Sequence, residues 1–60
     1  MNKFELYDRV KLVKTTDPVL DGQPATVVGY HGQDAIVLFD GKPQNYNRAM
    51  VITVQCLERA

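Results

Sequence analysis

The sequence predicts an all-β chain, a single small barrel of five strands, and three features point to it. Turn-forming pairs recur at intervals of roughly ten residues: Asp17-Pro18, Asp21-Gly22, His31-Gly32 and the run Asp40-Gly41-Lys42-Pro43. The segments between them are rich in Val, Ile, Thr and aromatic residues, which suit a pleated, half-buried surface. No window sets apolar residues at helical spacing against a polar opposite face. Short strands separated by regular turns belong to sandwiches and small barrels. With no helix to cover its edges, a sheet of this size is expected to curl and close, which removes the hazard of free edges.

The elements follow in order. Residues 1–6 read as a loose N-terminal extension. The first strand is predicted over 9–14, with Val10 and Leu12 inward and Arg9 and Lys11 toward water. A long loop over 15–24 follows, anchored by Val19 and Leu20. The second strand covers 25–30 and the third 34–40, joined by a tight turn at Gly32. In the third strand Ala35, Val37 and Phe39 share one face, while Ile36 and Leu38 share the other. Both faces are apolar, so one meets the core and the other a second layer or a partner. The fourth strand is predicted over 48–53, a one-turn connector over 54–57 and a closing strand over 57–60. Val10, Leu12, Val27, Val37, Phe39 and Ile52 are the expected core.

The totals set limits on function. Sixty residues make one domain, and a chain this short buries only about 60% of the surface exposed when unfolded. Cys56 is alone, so no disulfide forms within the chain, and a lone thiol fits the reducing cytoplasm. Seven basic and seven acidic side chains cancel, which disfavours attachment to nucleic acid or membrane by bulk charge. The longest apolar stretch, 35–39, is far too short to span a bilayer. Residues 1–6 lack the apolar core of a signal peptide, so the mature chain is expected to begin here.

Nothing in the sequence forms a catalytic set. The chain has no serine, its one histidine lies in a turn, and Asp8, Asp17, Asp21, Asp34 and Asp40 sit where aspartate shapes turns. No cofactor and no metal is expected. The run Lys42-Pro43-Gln44-Asn45-Tyr46-Asn47-Arg48 is the foremost binding candidate, a polar loop combining an aromatic, two cations and three amides. A partner is expected to centre on Tyr46, with Asn45, Asn47 and Arg48 around it and Tyr30 at its margin. The competing reading makes Tyr46 a packing residue beneath the loop and Tyr30 a cover for the barrel end. Arg9, Lys11 and Lys14 could contact phosphate along the first strand, against a reading in which they are a solvated face near Glu5, Asp8 or Glu58.

The stretch Asp8-Arg9-Val10-Lys11-Leu12, followed by Leu20-Asp21-Gly22-Gln23-Pro24-Ala25-Thr26-Val27-Val28-Gly29-Tyr30, resembles the KOW-type opening of SH3-like barrels. Gly22 stands at the family's loop glycine, and Ile36-Val37-Leu38-Phe39-Asp40 looks like its third strand. Two positions depart from the pattern: Tyr7 replaces the usual glycine before the acid, and Ala25 a second loop glycine. The C-terminal stretch from Ala49 to Arg59 resembles the end of the plasmid type II dihydrofolate reductases, which are tetramers of such barrels. Ala49, Met50, Val51 and Ile52 fall on that family's essential Val-Gln-Ile-Tyr segment, so the likeness implies the fold without the reductase residues. Val37, Phe39, Asp40, Asn45 and Tyr46 are similar to the small barrel subunit of photosystem I, which implies a docking role.

Three functions compete. A non-catalytic protein-docking module, an accessory subunit or regulator, is favoured by the neutral charge, the two apolar faces of 35–39 and the Asn-Tyr loop. A nucleic-acid-binding barrel follows from the KOW-like opening. An oligomeric enzyme with a site between subunits is the third, and a homo-oligomer is compatible with each.

Overall fold

A computed structural model describes residues 4–60. Five strands form where alternation is strongest: β1 (Arg9–Leu12), β2 (Pro24–His31), β3 (Asp34–Phe39), β4 (Ala49–Ile52) and β5 (Leu57–Arg59). A single 3-10 turn over Val54–Cys56 separates the last two. The expected spans hold to within two residues at their ends. β1 stops at Leu12 because Lys14 takes a left-handed conformation, φ 56°, which no strand continues through.

All pairings are antiparallel, in the order β4-β3-β2-β1-β5. Class and strand number are as expected, but the hydrogen-bonded ladder is open, with β4 and β5 at its two edges. The sheet nevertheless curls. Four strand spacings would separate the edges of a flat sheet by about 19 Å. The link from Ile52 to Leu57 passes through Thr53 and the 3-10 turn, and reaches only about 12 Å. So short a tie draws one edge toward the other.

Inward alternation builds the core from Val10, Leu12, Ala25, Val27, Ala35, Val37, Phe39 and Leu57, all buried. Ala25 lies opposite Phe39, so a small residue makes room for a large one across β2 and β3, and Val27 lies opposite Val37. Leu20 closes the core from the loop, and Ile52 packs against it half-buried rather than within it. Phe4, 2% exposed, is a core residue, so the extension expected over 1–6 does not include it. Residues 1–3 of that expectation lie outside the described residues. Arg59 covers the Phe4 ring at 5.5 Å and pairs with Asp8 at 3.0 Å.

The β1–β2 ladder carries one irregularity at both ends. Tyr7 N–H donates to the Val27 carbonyl (2.6 Å) while Val27 N–H donates to Asp8 (3.0 Å). At the other end Gly22 N–H donates to the Leu12 carbonyl (2.6 Å) while Leu12 N–H donates to Gln23 (3.1 Å). In each case two consecutive residues face one, the first with positive φ, 70° at Tyr7 and 82° at Gly22. This is the bulge whose first residue is ordinarily glycine. Each ends a turn, Glu5–Asp8 or Leu20–Gln23, closed by a hydrogen bond from its last N–H to its first carbonyl. A left-handed third residue is what a type II turn demands. The departure at Tyr7 therefore places an aromatic side chain, 74% exposed, where glycine is favoured.

A third bulge interrupts β2 against β3. Val27 pairs with Val37 and Gly29 with Ile36, leaving Val28 without a partner in β3. Beyond it Tyr30 pairs with Ala35 and so stands on the inward face, although strict alternation from Val27 would turn it outward.

Candidate functional site

The 40–48 loop leaves β3 at Asp40 and returns to the sheet edge at Ala49. Its Pro43 is buried and Tyr46 is half-buried against the core. The Tyr46 hydroxyl donates to Asp17 Oδ2 at 2.6 Å, tying this loop to the one between β1 and β2. The same Asp17 carboxylate accepts from Val19 N–H at 2.9 Å. Both bonds favour the anion, so Asp17 is held below the ordinary carboxylate value, first by Tyr46 and then by Val19. The bond to Asp17 raises the Tyr46 phenol in turn. Asn45 is exposed and left-handed at φ 68°, a conformation asparagine tolerates better than most residues. Asn47 is exposed as well, and Arg48 turns its Nε and Nη2 back to the Phe39 carbonyl, both at 3.3 Å.

Tyr30 does not join this group. Ala25 pairs with Phe39, where the 40–48 loop begins, whereas Tyr30 pairs with Ala35 at the opposite end of β2 and β3. Five residues of strand separate the two ends, about 16 Å. The Tyr30 hydroxyl donates to the Phe4 carbonyl at 2.8 Å and covers the N-terminal segment. His31 beyond it is exposed.

Of the basic stripe, Arg9 is engaged within the chain. Arg9 grips Asp40 with both terminal nitrogens, Nη1 to Oδ1 at 2.7 Å and Nη2 to Oδ2 at 2.5 Å, and Nη1 also reaches the Thr26 hydroxyl. This two-pronged hydrogen bond holds Asp40 below its ordinary value and raises Arg9. Lys11 shares the exposed face but stands opposite Glu58 of β5. Lys14 lies beyond the strand end. Among the described residues neither lysine forms an ion pair.

The outward face of the sheet separates polar from apolar. One row runs Arg9, Thr26, Leu38, Ala49, and the next runs Gly29, Ile36, Val51. The β1 side is charged, whereas the β3–β4 side presents Leu38 (38% exposed), Val51 (48%) and half-buried Ile36. Ile36 lies across Gly29, its Cδ1 3.5 Å from where a Cβ would stand. Sequence alternation identified Ile36 and Leu38 as a second apolar face. For Val51 alternation gives a strand alone, and its position beside Ile36 follows from the β3–β4 register.

Among the described residues no group of three or more His, Cys, Asp or Glu side chains is placed to hold a metal ion. No helix among them is long and apolar enough to cross a membrane. Compared with protein-family models, curated proteins and solved structures, the chain gives no match.

Proposed function

We propose that this chain is a small SH3-like, non-catalytic docking module whose contact surface is the β3–β4 part of the outward sheet face. The observation that carries this reading is the exposure of Leu38 and Val51 beside Ile36 on one sheet face. Neighbouring apolar side chains left in water are the usual mark of an interaction site, whereas scattered single ones are not. The Arg9–Asp40 pair borders the patch through Thr26 and gives it a polar rim. The partner is a protein with an apolar surface of its own. Tyr46 and Tyr30, with both hydroxyls bonded within the chain, serve the scaffold in this reading and only flank the interface.

The test is retention of a partner from the host's nuclease-treated lysate by the immobilised chain and its variants. A protein held by the native chain and by Tyr46→Phe, but lost with Leu38→Lys, supports the reading. Equal retention by Leu38→Lys, or loss of the partner on nuclease treatment, overturns it. Leu38→Lys is expected to fold, because the side chain points to solvent and lysine keeps an apolar stem.

A further inference from the structure

The two edges of the sheet are unlike. β5 is three residues long and carries Glu58 and Arg59, both exposed. Short length and charge are the devices that keep an edge strand from pairing with another chain. β4 has neither charge, proline nor bulge: Ala49, Met50, Val51 and Ile52 pair with β3 in unbroken register. Its nearest charges are Arg48 and Glu58, outside the strand.

The β3–β4 hydrogen bonds fix which backbone groups face out. Phe39 N–H donates to the Arg48 carbonyl at 2.7 Å, so Phe39 and Arg48 are a hydrogen-bonded pair. Such pairs alternate along an antiparallel ladder, which makes Val37–Met50 and Ala35–Ile52 the next ones. The N–H and C=O groups of Ala49 and Val51 therefore point away from β3, out of the sheet edge.

We infer that β4 pairs antiparallel with β4 of a second copy of this chain, about a two-fold axis at Met50. In that register Ala49 lies opposite the second copy's Val51, and Val51 opposite its Ala49. Two pairs exchanging two bonds each close four backbone hydrogen bonds and use every outward group of both residues. The match is its own mirror under the two-fold, which is the condition for a closed symmetric dimer. Arg48 falls opposite the second copy's Ile52, so no like charges meet. The small Ala49 side chain faces the branched Val51 on the outward side. The apolar β3–β4 parts of the two outward faces become one continuous surface across four strands. The inference concerns the sheet edge and stands independently of the docking reading, which concerns the face.

So short a pairing buries less than the roughly 1,000 Å² of a stable interface, so the dimer is weak, with a dissociation constant on the order of 10–1000 µM. Sedimentation of the chain from about 10 µM to about 1 mM is expected to show a reversible monomer–dimer equilibrium. Over the same range the Ala49 and Val51 amides should exchange more slowly as concentration rises. Val51→Lys puts a charge on the edge, and Ala49→Pro removes an outward donor without touching the β3 ladder. Each variant, with a native circular-dichroism spectrum, is expected to stay monomeric throughout. A native chain that is monomeric to 1 mM overturns the inference, as does a folded variant that dimerises like the native chain. Ala49 and Val51 amides insensitive to concentration also overturn it. Should Ala49→Pro fail to fold, Val51→Lys and the exchange measurement decide.

Discussion

The Tyr46 hydroxyl stands 2.6 Å from Asp17 Oδ2, joining two loops that 29 positions of sequence separate. Asp17 also organises its own loop through Val19 N–H, and the neighbouring Asp21 accepts from Thr15 N–H at 2.8 Å. The aromatic residue most suggestive of binding is thus a strut between connections. A phenol donating to a carboxylate is a charge-assisted bond, stronger than one between neutral groups.

Tyr46→Phe keeps the ring against the core and removes this one bond, so the chain should fold with a lowered thermal midpoint. The deficit depends on pH. Asp17 has a folded value below its ordinary 3.8, so its contribution is complete above 3.8 and fades as pH falls through the depressed value. Tyr46 has a folded value above its ordinary 10.0, so its contribution is complete below 10.0 and fades as pH rises through the raised value. Midpoints of the native and variant chains should differ between those limits and converge beyond them. Equal midpoints at pH 7 would show that the strut carries no stability.

Phe4 and Phe39 test the core from two directions. Both are buried, and truncating a buried phenylalanine costs about 3–5 kcal/mol. In a domain this small either Ala variant should be largely unfolded at 37 °C by circular dichroism. A Phe4→Ala variant with a native midpoint would return the N-terminal segment to the status of a loose extension.

Tyr7 and Gly22 occupy the same place in twin bulges, and opposite effects are expected of changing them. Tyr7→Gly relieves a left-handed non-glycine residue and should stabilise by about 1 kcal/mol. Gly22→Ala introduces that strain at φ 82° and should destabilise by about 1 kcal/mol, although no neighbour obstructs the added methyl. Urea titration of both variants reads the two signs directly.

Nucleic-acid affinity should be low and steeply dependent on salt. With Arg9 held by Asp40, Lys11 and Lys14 remain to neutralise phosphate, which sets a log–log salt slope no steeper than about −2. Asp40→Asn frees Arg9 and should steepen the slope by about one. Fluorescence anisotropy with a labelled single strand measures both, and a slope of about −4 or steeper for the native chain would reveal a phosphate surface elsewhere.

Much of this fold is legible in the sequence because it rests on alternation. Period two alone sets Val10, Leu12, Val27, Val37 and Phe39 inward, and all five are buried. Period two does not reach Phe4, since a single aromatic between Lys3 and Glu5 belongs to no periodic run. Strict alternation sets Tyr30 outward at a strand tip, but the unpaired Val28 shifts its phase; Gly29 beside it is the local sign of a bulge, and the register that makes Val28 the extra residue is not local. The Tyr46–Asp17 bond was illegible for a different reason. Asp17 serves turn geometry as its neighbours imply, and its second oxygen meets a residue brought near only by packing.

The bulges have a further effect on how the strands find one another. A sheet strand can slip by one residue wherever both of its faces are equally apolar, because alternation then imposes little penalty. β3 is such a strand, with Ile36 and Leu38 on one side and Ala35, Val37 and Phe39 on the other. Left-handed residues are stops of another kind. Tyr7 and Gly22 hold the β1–β2 ladder between two turns that cannot be displaced without moving a positive φ onto the next residue. The extra residue at Val28 sets the phase of the β2–β3 ladder, with Val27 opposite Val37 and Gly29 opposite Ile36. Backbone shape thus holds β1 against β2 where a slip would otherwise cost only side-chain pattern, and it gives β3 a partner strand whose own position is fixed.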